Sequence, residues 1–324
     1  MEATDTAEIR LLGSLRVRRA DGTVVSQGEW RTGKTVDLLR ILALEVDRPV
    51  RVDTLLENLW PDVDEARGRA SLRTAASQIR RTLRSDCVER RMGGLVLTRA
   101  WVDVVAFRRA ATSARASQRQ GDHARVVRFV REAEALYLAD FEAHDGGSTW
   151  AFEVRESLAT MRRDILADAA ESAVEVAWMR DAIDLAERAI DADPFSERAH
   201  RALMRALAGL GESDRALKVF AGFRRTLEEE LGMSPSRQTT AVQMSVLSGD
   251  AGPTPTSSFV AREKEAAALA EELVEAAGTA ALEVACVVGA RGSGRDALVE
   301  EALRRADLPV VHARPRGSHD LLTV

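Results

Sequence analysis

RGRASLRTAASQIRRTLR, residues 67–84, holds six arginines (Arg67, Arg69, Arg73, Arg80, Arg81 and Arg84) and no acid, in a chain whose formal net charge is -5. It contains no proline and one glycine, Gly68, near its start, so it reads as a single helix. At about 100° per residue, Leu72, Ala76, Ile79 and Leu83 fall within an arc of about 60°, a core face. Opposite them the pattern places Ser71, Thr74 and Gln78, short or amide side chains that hydrogen-bond. A helix with an apolar face, a hydrogen-bonding patch opposite and cations beside it suits the major groove of DNA. Ser71, Thr74 and Gln78 are the candidate base contacts. Arg67, Arg69, Arg73, Arg80, Arg81 and Arg84 are the candidate phosphate contacts, which hold register without reading sequence. The competing reading is a solvated basic helix whose arginines pair with acids elsewhere.

Only three of the 46 basic residues are lysine (Lys34, Lys218, Lys264). Such arginine usage accompanies a GC-rich genome and accounts for part of the excess; it does not account for the missing acids. Residues 1–104 carry 18 basic and 16 acidic side chains, a net of +2, and residues 105–324 carry 28 and 35, a net of -7. Only the front of the molecule is therefore expected to meet nucleic acid.

Upstream, Ile9 to Arg19 alternates and ends at the turn Asp21-Gly22, and Thr23 to Val25 resumes strand character. Thr35 to Val46 carries helical periodicity, stopped by Pro49. Asp53 is placed to cap a short helix through Trp60, closed by Pro61. Trp30 and Trp60 are expected to pack the small core. Downstream, Val88–Arg91 and Leu95–Thr98 flank Met92-Gly93-Gly94 as a hairpin, on which Arg90, Arg91 and Arg99 are further candidate phosphate contacts. Sheet, helix, short helix, loop, basic helix and hairpin follow one another as in a winged helix-turn-helix with an extra N-terminal sheet.

From Val104 to about Leu247 almost everything reads helical. Ala182, Ala186 and Ala189 recur at helical spacing, and Ala216 and Phe220 follow Ala182 and Ala186 after 34 residues, the period of a tetratricopeptide repeat. Leu210-Gly211-Glu212 and Gly121-Asp122-His123 mark turns between helices. Asp193-Pro194 and Ser234-Pro235 read as N-caps followed by proline.

The pieces IRLLGSLRV, LLENLWPD, RASLRTAASQIRRTL and GGLVLT, and further on LYLADFEAHDGGSTWAFEVRESL, ADPFSERAHRALMRAL and FRRTLEEELGMSPS, resemble the actinobacterial antibiotic-regulatory (SARP/AfsR-type) transcriptional activators. Those proteins join an OmpR-like winged helix to a bacterial transcriptional activation domain associated with dimerisation. The resemblance implies promoter repeats in double-stranded DNA, RNA polymerase and a homodimer on DNA as partners. Where many relatives carry arginine on the basic helix this chain has Gln78, which implies adenine in place of guanine.

SGDAGPTPTSS, residues 248–258, reads as a linker. FVAREKEAAAL then resembles the entry to an ATPase-type module, and a strand-like run ends in GARGSGRD. Gly289, Gly292, Gly294 and Arg295 follow a phosphate-loop spacing, but Arg295 replaces the lysine and Asp296 the hydroxyl that hold phosphate and Mg²⁺. Only 28 residues follow Asp296, so a degenerate or partial module is expected, and ATP or ADP is not expected as a cofactor.

The expected fold class is mainly α with a small β component: a winged helix-turn-helix (1–104), a TPR-like helical domain (105–248), a linker (249–258) and a partial α/β tail (259–324). The expected function is sequence-specific transcription activation. The alternatives are a nucleotide-sensing signal-transduction regulator and a TPR-like protein-binding scaffold. No catalytic constellation or metal-ligand spacing stands out among the five histidines and two cysteines. Distant, unpaired cysteines, a polar N-terminus and no membrane-length apolar run point to a cytoplasmic, non-membrane setting.

Overall fold

In the computed structural model, residues 6–144, 148–249 and 263–277 are described, with short stretches at 298–299 and 302–303. The alternating N-terminus forms β1 (Ala7–Arg10) and β2 (Arg16–Arg18), antiparallel, with Ile9 opposite Val17 and both buried. The strand expected to run through Arg19 breaks at Gly13, whose φ of +102° glycine alone adopts without strain. Thr23 to Val25 returns only as an isolated bridge, Val24 to Arg18.

Thr32 caps α1 (Gly33–Leu44), its hydroxyl accepting from Thr35 N at 3.2 Å. β3 (Val50–Arg51) leads into α2 (Val52–Leu59), where Asp53 sits in the first turn and Arg51, not Asp53, occupies the cap position. The basic helix is α3 (Glu65–Leu83), capped by Asp64, whose carboxylate accepts from Arg67 N at 3.0 Å. β4 (Val88–Arg91) and β5 (Gly94–Leu97) form the hairpin, and β3 adds to β5, giving the order β3-β5-β4. Met92 and Gly93 make its two-residue turn, both at positive φ (48° and 74°), the conformation such turns require. β6 (Ala100–Val102) then pairs parallel with β1, giving the order β2-β1-β6. This long-range pairing has no local pattern in the sequence. Trp30 and Trp60 are partly buried against the core.

The helical region contains α4 (Asp103–Arg119), α5 (His123–Glu134), α6 (Thr149–Glu175), α7 (Met179–Ala192), α8 (Glu197–Gly209), α9 (Ser213–Leu231) and α10 (Arg237–Ser248). Each helix from α4 to α8 packs on its successor, and α10 lies against α8 and α9. The repeat positions Ala182, Ala186 and Ala216 are fully buried and Phe220 nearly so. Small residues there let neighbouring helices approach. Gly121 and Gly211 turn the chain at positive φ, as the spacing predicts. The proline-linked caps fall three and two residues later than expected: Ser196 caps α8 and Ser236 caps α10. Asp193 instead accepts from Phe195 N at 3.0 Å, closing a turn before the helix begins.

Winged helix and helical array belong to one compact unit, Met1–Pro253. The second unit, Thr254–Val324, contributes α11 (Glu263–Ala277) to the described residues. Gly289, Gly292, Gly294 and Arg295 lie outside the described residues.

Candidate nucleic-acid interface

Leu72, Ile79 and Leu83 anchor α3 on the core, each buried aliphatic side chain contributing about 2 kcal/mol of transfer free energy. Gly68 lets α2 come close: a β-carbon there would stand 3.1 Å from Leu56 Cδ2. The buried arc of α3 is wider than its apolar spacing suggests, because Ala75, Gln78 and Thr82 are buried too. At about 100° per residue it spans about 160° and its centre shifts by about 50°. The face that remains is Arg67, Ala70, Arg73, Thr74, Ser77, Arg81 and Arg84, all exposed.

This corrects one of the three candidate base contacts outright. Gln78 is 5% exposed. Its Oε1 accepts from Thr35 Oγ1 at 3.1 Å, and its Nε2 makes a long contact, 3.5 Å, with the Glu29 carbonyl. A groove cannot be read by an amide committed behind the helix. Ser71 is half-buried on the flank, whereas Thr74 is exposed and donates its hydroxyl to the Ala70 carbonyl at 3.1 Å, leaving lone pairs free. Ser77, which the apolar spacing alone passed over, stands near the centre of the open face. The burial of Ala75 and Thr82 on the far side is the signal that would have found it.

The arginines divide by partner. Among the described residues, the side chains of Arg67, Arg73, Arg81 and Arg90 meet no acid or hydrogen-bond acceptor. Arg69 pairs with Glu65 (2.7 Å) and Asp53 (3.4 Å), Arg84 with Asp21 (3.8 Å) and Arg91 with Glu89 (2.7 Å). Such solvent-exposed pairs are worth at most about 1 kcal/mol and yield readily to phosphate. Arg80 serves the fold, its Nε donating to the Val88 carbonyl at 2.6 Å and tying α3 to the hairpin. Arg90 and Arg91 flank the tip; Arg99, in the turn between β5 and β6, stands at the base of the wing, at the far end of β5 from the tip.

Behind α3 runs a closed polar circuit. Buried Arg19 donates from Nε to the Thr82 carbonyl at 2.7 Å and from Nη2 to the Glu29 carboxylate. Glu29 in turn is held by Ser26 N at 3.0 Å, and that hydrogen bond, with the Arg19 guanidinium, keeps its carboxyl below the usual carboxylate range.

The winged helix is also fastened to the helical array. The buried Asp103 carboxylate, at the start of α4, accepts from Leu11 N (2.8 Å), Leu12 N (3.0 Å) and Val104 N (2.7 Å). Phe141, in the segment between α5 and α6, bridges Leu12, and His144 N donates to Asp37 on α1 at 2.9 Å. Among the described residues there is no group of His, Cys, Asp and Glu placed to hold a metal ion, and no helix long and apolar enough to cross a membrane.

A winged helix-turn-helix presenting a basic helix and hairpin, fused to stacked helical pairs, is the architecture of a transcriptional regulator. Residues 102–247 match the bacterial transcriptional activator domain, and the likeness to regulatory proteins of this kind supports the resemblance to the SARP-type activators. The chain is 25% identical over 248 residues to the regulatory protein AfsR of Streptomyces griseus, covering 76% of this chain and 25% of that protein. It is 26% identical over 260 residues to the regulatory protein DnrI of Streptomyces peucetius, covering 76% of this chain and 93% of that one. The chain thus spans about a quarter of the AfsR proteins and nearly all of DnrI. Mycobacterium tuberculosis EmbR, solved with a low-affinity phosphopeptide, shares the fold at a TM-score of 0.64 and 20% identity, over 85% of this chain and 72% of that chain.

Proposed function

We propose that this protein is a sequence-specific activator that lays α3 in the major groove of promoter DNA and sets the β4–β5 hairpin against the adjacent backbone. The observation that carries this reading is the open face of α3. Thr74 and Ser77, uncharged and exposed, lie between Arg73 and Arg81, whose guanidinium groups meet no partner among the described residues. The Ser77 hydroxyl can donate to or accept from a base edge, the Thr74 hydroxyl can accept, and the arginines on both sides neutralise phosphate. With Gln78 buried, selectivity falls to Thr74 and Ser77, with Ser71 at the margin. Arg67, Arg73, Arg81 and Arg90 lead the phosphate contacts, and Arg69, Arg84 and Arg91 join them by exchanging a surface carboxylate for phosphate.

The helical array supports the remaining roles: contact with RNA polymerase, and association of two copies on repeated half-sites. AfsR and DnrI, both regulatory proteins, are similar to this chain over 76% of its length, which supports a regulatory role here. No cofactor enters the reading.

Selection from a random duplex pool tests it. The expected result is one enriched motif, repeated at a spacing near a whole number of helical turns. A pool that emerges without enrichment would overturn the proposal.

A further inference from the structure

Leu72, Ile79 and Leu83 anchor the underside of α3, but apolar contacts set its roll less sharply than directional bonds do. Two of its buried contacts, Ala75 and Ala76, are alanines, and dispersion and burial carry no direction. A roll of about 20° moves a side-chain tip about 5–6 Å from the helix axis by about 2 Å, well beyond the roughly 0.5 Å range over which a hydrogen-bond distance holds. Base reading by two short hydroxyls does not survive such a roll. Arginine–phosphate attraction does, because the long side chain follows the phosphate and Coulomb attraction falls off gradually.

Directional bonds resist this roll, and besides the Arg80 tie to the hairpin they come from two sides. On one side Thr35, in the first turn of α1, donates to Gln78. On the other, Arg19, at the end of β2, reaches the Thr82 carbonyl one turn further along α3 and joins it through Glu29 back to Gln78. Thr82 is among the last residues of α3, where carbonyls lack an intrahelical donor. A buried arginine there satisfies the carbonyl and complements the negative end of the helix. Arg19 and Gln78 are both buried, so neither is available to DNA.

We infer that Arg19 and Gln78 are positioning residues for sequence selection: with Thr35 and Glu29 they fix the roll of α3, and so choose the bases without touching them. The inference rests on the DNA-binding reading above and assigns part of its specificity to the N-terminal sheet.

The test uses the full chain and compares affinity for the selected duplex with affinity for a scrambled duplex, each across a salt series. Arg19→Met, Gln78→Leu and the near-isosteric Thr35→Val remove one corner each. Val52→Ala trims the same core outside the circuit and serves as a stability control. The three circuit variants are expected to lower the selected-to-scrambled ratio about tenfold, the loss a single mismatched base pair brings. Scrambled-duplex affinity and salt slope should stay near wild type, and Val52→Ala should keep the ratio despite a comparable fall in Tm. Thr35→Val loses only a hydroxyl and keeps the test decisive if a larger change prevents folding. Circuit variants that retain the ratio overturn the inference, as does a Val52→Ala protein that loses it equally. A wild type that prefers no duplex overturns the DNA reading itself, a result distinct from either.

Discussion

His144 lies directly over Gly33: a β-carbon built on that glycine would fall 1.8 Å from the His144 ring carbon Cδ2. Gly33 opens α1, the helix that supports α3, and His144 belongs to the segment between the second and third helices of the array. A side chain at residue 33 would therefore have to turn the exposed His144 ring aside, and the His144 N–H to Asp37 bond holds the winged helix against the helical array one turn along.

Gly33→Ala is accordingly expected to displace the exposed His144 ring and to cost up to about 1 kcal/mol, the low end of overpacking, although alanine normally improves a helix. Gly33→Ala combined with His144→Ala should recover most of that loss. Thermal denaturation of the two singles and the double measures the coupling; additive losses would show that the two residues do not press on each other.

Arg73→Ala and Arg81→Ala should each weaken binding about equally on all duplexes and lower the slope of log affinity against log salt by about one. Thr74→Val and Ser77→Ala should instead change which bases are preferred. Fluorescence anisotropy over a salt series separates the two kinds of effect. An unchanged slope in both arginine variants would remove α3 from the groove.

Gly94 pairs with Arg51, and a β-carbon on it would stand 2.4 Å from the Val50 carbonyl oxygen. Gly94→Ala should pry β5 from β3 and loosen the wing at its root. The expected signs are faster amide exchange across β3, β5 and β4 and weaker DNA binding, with α4–α10 unaffected. Retained protection in β3 would show that the strand shifts to absorb the methyl group.

His200 is buried, stacks on Phe223 at 3.9 Å between ring centroids, and donates from Nδ1 to the Ser196 carbonyl at 2.9 Å. Burial holds its pKa below the usual 6.5, against the opposing pull of the Ser196 hydrogen bond, Asp193 and Glu197. The unfolded chain thus binds the proton more readily than the folded one. The stability contributed by neutral His200 is complete above about pH 6.5 and is lost as pH falls through the lower folded value. Denaturant melts between pH 7.5 and 5 should show this decline, and His200→Gln should flatten it. An identical decline in the variant would place the acid sensitivity elsewhere.

Much of the winged helix was legible because its signals are local. Leu72, Ala76, Ile79 and Leu83 mark α3 at helical spacing, Met92-Gly93 marks the hairpin turn, and Ala182, Ala186, Ala216 and Phe220 mark stacked helices; all these residues take the expected places. The face that α3 offers was not legible in the same way. A wheel drawn from the four apolar residues treats Gln78 as exposed, because glutamine is polar. It is buried because Thr35 and Glu29 come from elsewhere in the chain to meet its amide.

The amino-acid sequence by itself determined the order of elements, the site of the basic helix and the kinship of the helical region, since periodicity, caps and turn residues act over a few positions. Tertiary structure alone decided that β6 returns to β1, that His144 closes over Gly33, and that Thr74 and Ser77 rather than Gln78 face outward. Those outcomes depend on which distant groups satisfy each buried donor and acceptor, and a hydrogen bond between residues far apart in the chain leaves no spacing to read.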